Sequence, residues 1–167
     1  YKTGNPTQKT AALQALTSWG DQNVLEPLYE ISKQSTGDTR NQVLNSFIEG
    51  INKSKNPLDQ KVLLFRNAME LTTNLAQKKA VLRGISENSS LPALVFVSKY
   101  LDDAALQQNA VQAVINIVLD HKELVGKMVE DIAQKAIALN KDAESNYLKE
   151  ALIRHLATLP TEGGFVP

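Results

Sequence analysis

The apolar positions of this chain return every three to four residues along most of its length, and no stretch shows the sustained alternation of a strand. The clearest stripe is Leu106, Ala110, Ala113, Val114 and Ile117, widened by Val111, Ile115 and Val118. A stripe that wide predicts a helix buried on two sides. Leu124, Met128, Ile132, Ala136 and Leu139 make the next face, and Leu148, Ala151, Leu152, His155 and Leu159 make the last.

Start and stop signals punctuate the pattern. Asn56-Pro57-Leu58-Asp59 offers an Asn cap, a proline at the first helical position and an acid in the first turn. Ser89-Ser90-Leu91-Pro92 offers a Ser cap and a proline early enough to lose no helical hydrogen bond. Gly20–Asn23 and Thr36–Arg40 each read as a stop followed by a start, and Pro27 sets the second helix to begin no earlier than about Val24. The spacing predicts about nine antiparallel helices, over 7–18, 24–35, 38–52, 57–71, 74–87, 90–100, 103–119, 122–139 and 142–158.

Four short stretches repeat one pattern: Ala12–Leu16, Val43–Phe47, Val81–Ile85 and Ala110–Val114. Each carries a small residue before its last apolar one: Ala15, Ser46, Gly84 and Ala113, separated by 31, 38 and 29 residues. That range suits helical-hairpin repeats. Tyr147–Leu152 is a looser fifth copy with Glu150 at the small position, as a terminal cap allows. A small side chain lets another helix approach closely. Gly84 is the sharpest case, because glycine inside a helix costs about 1 kcal/mol relative to alanine. Either a close neighbour compensates, or Gly84 sits near a helix end where the cost is tolerated.

Composition narrows the class. Of 167 residues, 43% are hydrophobic and only 5% aromatic, a balance that favours helices and one core-forming domain. Lys+Arg and Asp+Glu are equal at 18 each, so no net charge draws the chain to nucleic acid or anionic lipid. The absence of cysteine excludes disulfides, thiolate nucleophiles and zinc–thiolate sites. The longest apolar run, Leu91 to Val97, falls far short of the ~20 residues that span a bilayer. No signal peptide is visible, and a start on Tyr1 reads as a processed piece of a longer protein.

With its hairpin repeats, its early-helix prolines and the Gly37–Ile51 segment, the chain resembles the HEAT-repeat (armadillo-like) family, with Asp38 and Arg40 at the acidic and basic turn positions. In the other copies Lys9, Lys79 and Asn109 stand at or beside the basic position, so the match there is looser. The resemblance implies an all-α fold, a right-handed α-α superhelix over residues 1–159. The closing Glu162-Gly163-Gly164-Phe165-Val166-Pro167 is similar to the junction ahead of a jelly-roll domain of the 3-keto-disaccharide hydrolase type in bacterial multidomain proteins. Residues 160–167 then read as a linker and the start of a following domain; the plainer alternative is a frayed tail. That resemblance implies a periplasmic or exported, carbohydrate-related parent.

Candidate chemistry is sparse. His121 lies in an expected inter-helix turn, His155 on the apolar stripe of the last helix, and neither has metal-ligand or nucleophile-elbow spacing. The acidic pairs Glu26/Glu30, Asp102/Asp103 and Glu130/Asp131 read as helix faces and caps rather than as paired catalytic acids. The basic clusters Lys53/Lys55 and Lys78/Lys79/Arg83 are too short for a phosphate-tracking stripe. Some HEAT-like proteins are alkylpurine DNA glycosylases, and that alternative would need a basic groove with Trp, Arg and Asp; Trp19 is the lone Trp.

The expected function is therefore a non-catalytic interaction or spacer module with no cofactor, no metal, no nucleic acid and no small-molecule ligand. Its partner is expected to be a neighbouring domain or another protein. In such solenoids the second helix of each pair lines the binding face, which makes Tyr29, Lys33, Arg66, Glu70, Lys99 and Tyr100 the candidate contacts.

Overall fold

A computed structural model describes residues 5, 8, 11, 12, 15, 16, 22–143 and 145–159. Within them the chain is all-helical, with no strand. A 3-10 turn at Gln22–Val24 leads into α1 (Leu25–Gln34), followed by α2 (Gly37–Lys53), α3 (Leu58–Leu71) and α4 (Leu75–Glu87). Then come α5 (Leu91–Ser98), α6 (Gln107–Asp120), α7 (Lys127–Leu139) and α8 (Asn146–Ala157). The expected helix over 7–18 and the linker over 160–167 lie largely or wholly outside the described residues; Gln8, Ala11, Ala12, Ala15 and Leu16 are helical.

The helix starts follow the local chemistry. Ser90 caps α5, its hydroxyl accepting from the Ala93 N–H at 3.3 Å, with Pro92 in the first turn. The Pro57 carbonyl accepts the first helical bond of α3 from Lys61, so the helix begins one residue past the expected proline. Gly37 opens α2 at φ +58, a conformation that a side chain strains. Three later starts fall short of the apolar pattern. Asp103 folds 103–106 into a turn, taking the Ala105 N–H at 2.9 Å, and α6 waits until Gln107. Gly126, at φ +113, ends the turn before α7. Asn140 accepts from the Asp142 N–H at 3.1 Å and the Ser145 hydroxyl at 3.2 Å, which delays α8 to Asn146. In the first and third of these turns short polar side chains bind local groups and outcompete the helix.

Two compact units make up the chain, Tyr1–Gly84 and Ile85–Pro167. In the first, α2 packs against α1 and α3, burying Val43, Leu44, Phe47, Ile48 and Ile51. α1 contributes Leu25, Leu28 and Ile31, and α3 contributes Val62, Phe65, Ala68 and Met69. In the second, α6 is central, packing on α5, α7 and α8. All eight residues of its wide stripe are buried. Each fully buried large aliphatic side chain of this kind is worth about 1.5–3 kcal/mol. α5 buries Ala93, Leu94, Phe96 and Val97.

α7 corrects one expectation. Its buried residues are Val129, Ala133 and Ala136, while Met128 is 48% exposed. The expected stripe starts at Leu124, which precedes the helix, and Met128 and Ile132 each fall one residue before the buried Val129 and Ala133.

The small positions divide. Gly84 and Ala113 are buried, Ser46 is half-buried and Ala15 is exposed. Gly84 has a definite reason to be glycine: a Cβ there would sit 2.5 Å from Cζ of Phe65, 2.6 Å from its Cε1 and 3.2 Å from Oδ1 of Asn52. Phe65 is fully buried and has nowhere to go. Gly50 differs, since its Cβ would meet only the tip of the Leu25 side chain, at 2.8 Å.

Gly84→Leu is therefore expected to destabilise the chain by about 1–3 kcal/mol or more, and Gly84→Ala to destabilise it as well. Gly50→Ala is expected to be close to neutral, its clash offset by the gain of about 1 kcal/mol in helix propensity. Urea unfolding of the three variants measures the difference.

Candidate functional site

The first unit carries two grooves. One, of about 400 Å³, runs between α1 and α3 and is lined by Leu25, Glu26, Tyr29, Asn56, Gln60, Leu63 and Leu64. Leu63 is 54% exposed at its edge. Tyr29 stands in the wall with its ring 5.6 Å from that of Phe47, tilted, so its orientation is set by the core. Lys33 lies over the same ring at 5.1 Å and reaches Glu30 at 3.2 Å. Both Lys33 and Glu30 are nearly half exposed, so that ion pair adds little stability.

The other groove, of about 380 Å³, lies between α2 and α4 and is mostly amide: Asn41, Asn45, Asn52, Asn74 and Gln77, with Glu49 and Arg83. Gln77 is its keystone, only 3% exposed. Its Oε1 accepts from the Thr73 N–H at 3.0 Å, and its Nε2 donates to Oδ1 of Asn41 and of Asn45, each at 3.3 Å. The Thr73 hydroxyl donates to Asn41 Oδ1 at 2.7 Å. Asn74 caps α4, accepting from the Gln77 N–H at 2.9 Å. Such a buried amide stays satisfied only while all these partners are in place.

The six expected contacts are placed unevenly. Tyr29 and Lys33 meet each other on α1; Arg66 and Glu70 are exposed one turn apart on α3. In the second unit Lys99 is exposed just after α5, and Tyr100 stacks edge-on against Phe96 at 5.4 Å. Arg66 and Glu70 do not line the α1–α3 groove, although Tyr29 does. The sequence does not single out the amide groove: Asn41 and Asn45 stand one turn apart beside a buried stripe, but that spacing does not say which end of each amide faces inward.

Three of the remaining charged candidates have structural partners. Asp102 meets Lys135 at 2.7 Å, Asp131 meets Lys127, and Glu49 meets Lys53 at 3.6 Å. His155 is half-buried on α8, with a buried Nε2 that finds no hydrogen-bond partner among the described residues. His121 is the C-cap of α6, its Nδ1 2.6 Å from Oε1 of Glu123. That hydrogen bond, helped by Glu123's own backbone N–H, holds the Glu123 carboxyl below its ordinary value of 4.5. Among the described residues no group of three or more His, Asp or Glu is placed to hold a metal ion. No helix there is long and apolar enough to cross a membrane.

Compared with protein families, with curated proteins and with solved structures, the chain matches none.

Gln77→Met, nearly isosteric, leaves the Thr73 N–H without its acceptor and is expected to cost about 1–3 kcal/mol in thermal or urea unfolding. The His121–Glu123 contact stabilises the fold above pH 4.5 and is lost as the pH falls through the lowered value. A carboxyl-carbon NMR titration should find Glu123 below the ordinary glutamate range in the native chain and back within it in His121→Ala.

Proposed function

We propose that the chain is a HEAT-like α-solenoid module that holds a partner, or a neighbouring domain of its own protein, and performs no chemistry itself. On this reading its helices are successive hairpins of a right-handed superhelix. One observation carries it: the same hairpin tie recurs in both units. In the first, Arg40 Nη2, in the first turn of α2, donates to the last carbonyl of α3, Leu71, at 3.2 Å and 31 residues away. In the second, Gln108 Nε2, in the first turn of α6, donates to the last carbonyl of α7, Leu139, at 3.0 Å and again 31 residues away. Two antiparallel pairs of equal register are what a repeat array needs, since each pair must offer its neighbour the same surface.

In this reading the second helices supply the candidate contacts of each unit by itself, Tyr29, Lys33, Arg66 and Glu70 in the first unit and Lys99 and Tyr100 in the second. Leu25 and Leu64, with Leu63 at the edge, give the α1–α3 groove an apolar lining beside Tyr29, an aromatic residue of the kind from which interfaces gain energy. Membership of a larger, exported, carbohydrate-related bacterial protein rests on the closing Glu162–Pro167 segment alone.

A photoreactive p-benzoylphenylalanine in place of Leu63, in cells making the whole parent protein, tests the reading. The expected result is a discrete crosslink that Tyr29→Ala with Arg66→Glu removes and Tyr147→Ala leaves intact. No crosslink at Leu63 would contradict it. Salt-sensitive binding of duplex DNA by the purified chain would favour the glycosylase-like alternative instead.

A further inference from the structure

The groove between α2 and α4 has its hydrogen-bonding polarity fixed by the backbone. A main-chain N–H can only donate, so the Gln77 atom facing the Thr73 N–H is necessarily Oε1. Nε2 then points the other way, and both Asn41 and Asn45 must turn Oδ1 toward it. By the same logic the Gln77 N–H fixes Oδ1 of Asn74 inward. Amide orientation, ordinarily a matter of choice between two fits, is here dictated by two obligate donors.

The consequence is a concavity rich in hydrogen-bond donors. Asn41, Asn45 and Asn74 commit their oxygens to the protein, and among the described residues no acceptor takes their NH2 groups. Arg83 lines the same groove, exposed and without an ion pair among the described residues. The one carboxylate in the lining, Glu49, is largely exposed and lies 3.6 Å from Lys53. Three amide donors and a guanidinium share one concavity of about 380 Å³.

We infer that this groove is a binding site for a carboxylate, with Arg83 supplying the charge and fork geometry and the three asparagines supplying neutral donors. Its size suits a small acid or the tip of an acidic side chain. No aromatic ring lines it, so it lacks the flat platform on which a sugar stacks. The site shares no residue with the α1–α3 groove and stands independently of the function proposed above.

The test is a titration of the 15N-labelled chain with succinate and, separately, with a capped hexaglutamate peptide, following the side-chain NH2 signals. The site is supported if the Asn41, Asn45 and Asn74 signals move saturably with either probe and sodium chloride of matched ionic strength does not reproduce the shifts. Arg83→Gln is expected to weaken binding about tenfold or more. Asn45→Asp, which keeps the oxygen that Gln77 needs, is expected to lose binding while its circular dichroism stays native. Saturation by succinate identifies a free acid as the ligand; saturation by the peptide alone identifies an acidic segment of a partner. Signals that stay still with both probes, or that move equally in Arg83→Gln or with chloride, would overturn the assignment.

Discussion

The first unit is built around a phenyl ring occupying the space where residue 84 has no side chain. Phe65 is fully buried on α3, and α4 lies against it so closely that even a methyl group at position 84 would overlap its ring. A helix that carries glycine gives up about 1 kcal/mol of propensity, and the contact it gains is dispersion at close range over an aromatic ring. The same approach brings Asn52 of α2 to the Gly84 backbone and sets α2 and α4 at the separation that Gln77 spans. Core packing and the polar groove are thus one arrangement. If α4 moved outward by a methyl radius, the 3.3 Å bonds of Gln77 would open.

Polar side chains do a second job, that of closing helix ends. Arg40 and Gln108 use different chemistry, a guanidinium and an amide, on the same target, the terminal carbonyl of a helix 31 residues later. Gln108 also accepts from the Lys141 N–H at 3.1 Å and so ties both sides of the turn. Helix C-termini leave carbonyls without intrahelical partners, and a long-range side-chain donor fixes the pairing of two helices more firmly than a local cap can. This device, rather than the recurrence of small residues, is what the two units share most visibly.

Much of this was legible in the sequence. The α6 stripe was readable in full because it is continuous, apolar and free of competing polar groups, and Ser90 and Pro92 announced α5. Gly84 was readable because a glycine inside a strong helical pattern gives up propensity and so points to a neighbour packed too close for a side chain. Helix starts were harder: Asp103 and Asn140 look like caps but fold short turns of their own, and a periodic pattern extended across them began the helices several residues early. Ala15 matched the repeat by type yet is exposed, since alanine is at home on any helix face. The amide groove was invisible for a different reason. Its character depends on which end of each amide faces inward, and that is decided by Gln77 bonding to residues 32 and 36 positions away.

The close approach of α3 and α4 is tested most directly by a double-mutant cycle between positions 65 and 84. Phe65→Leu opens the space that Gly84→Ala needs, so the double variant should be more stable than the two single losses summed, with a coupling of about 1 kcal/mol or more in urea unfolding. Losses that simply add would mean that the ring and the glycine do not meet, and the account of the first unit would fail with them.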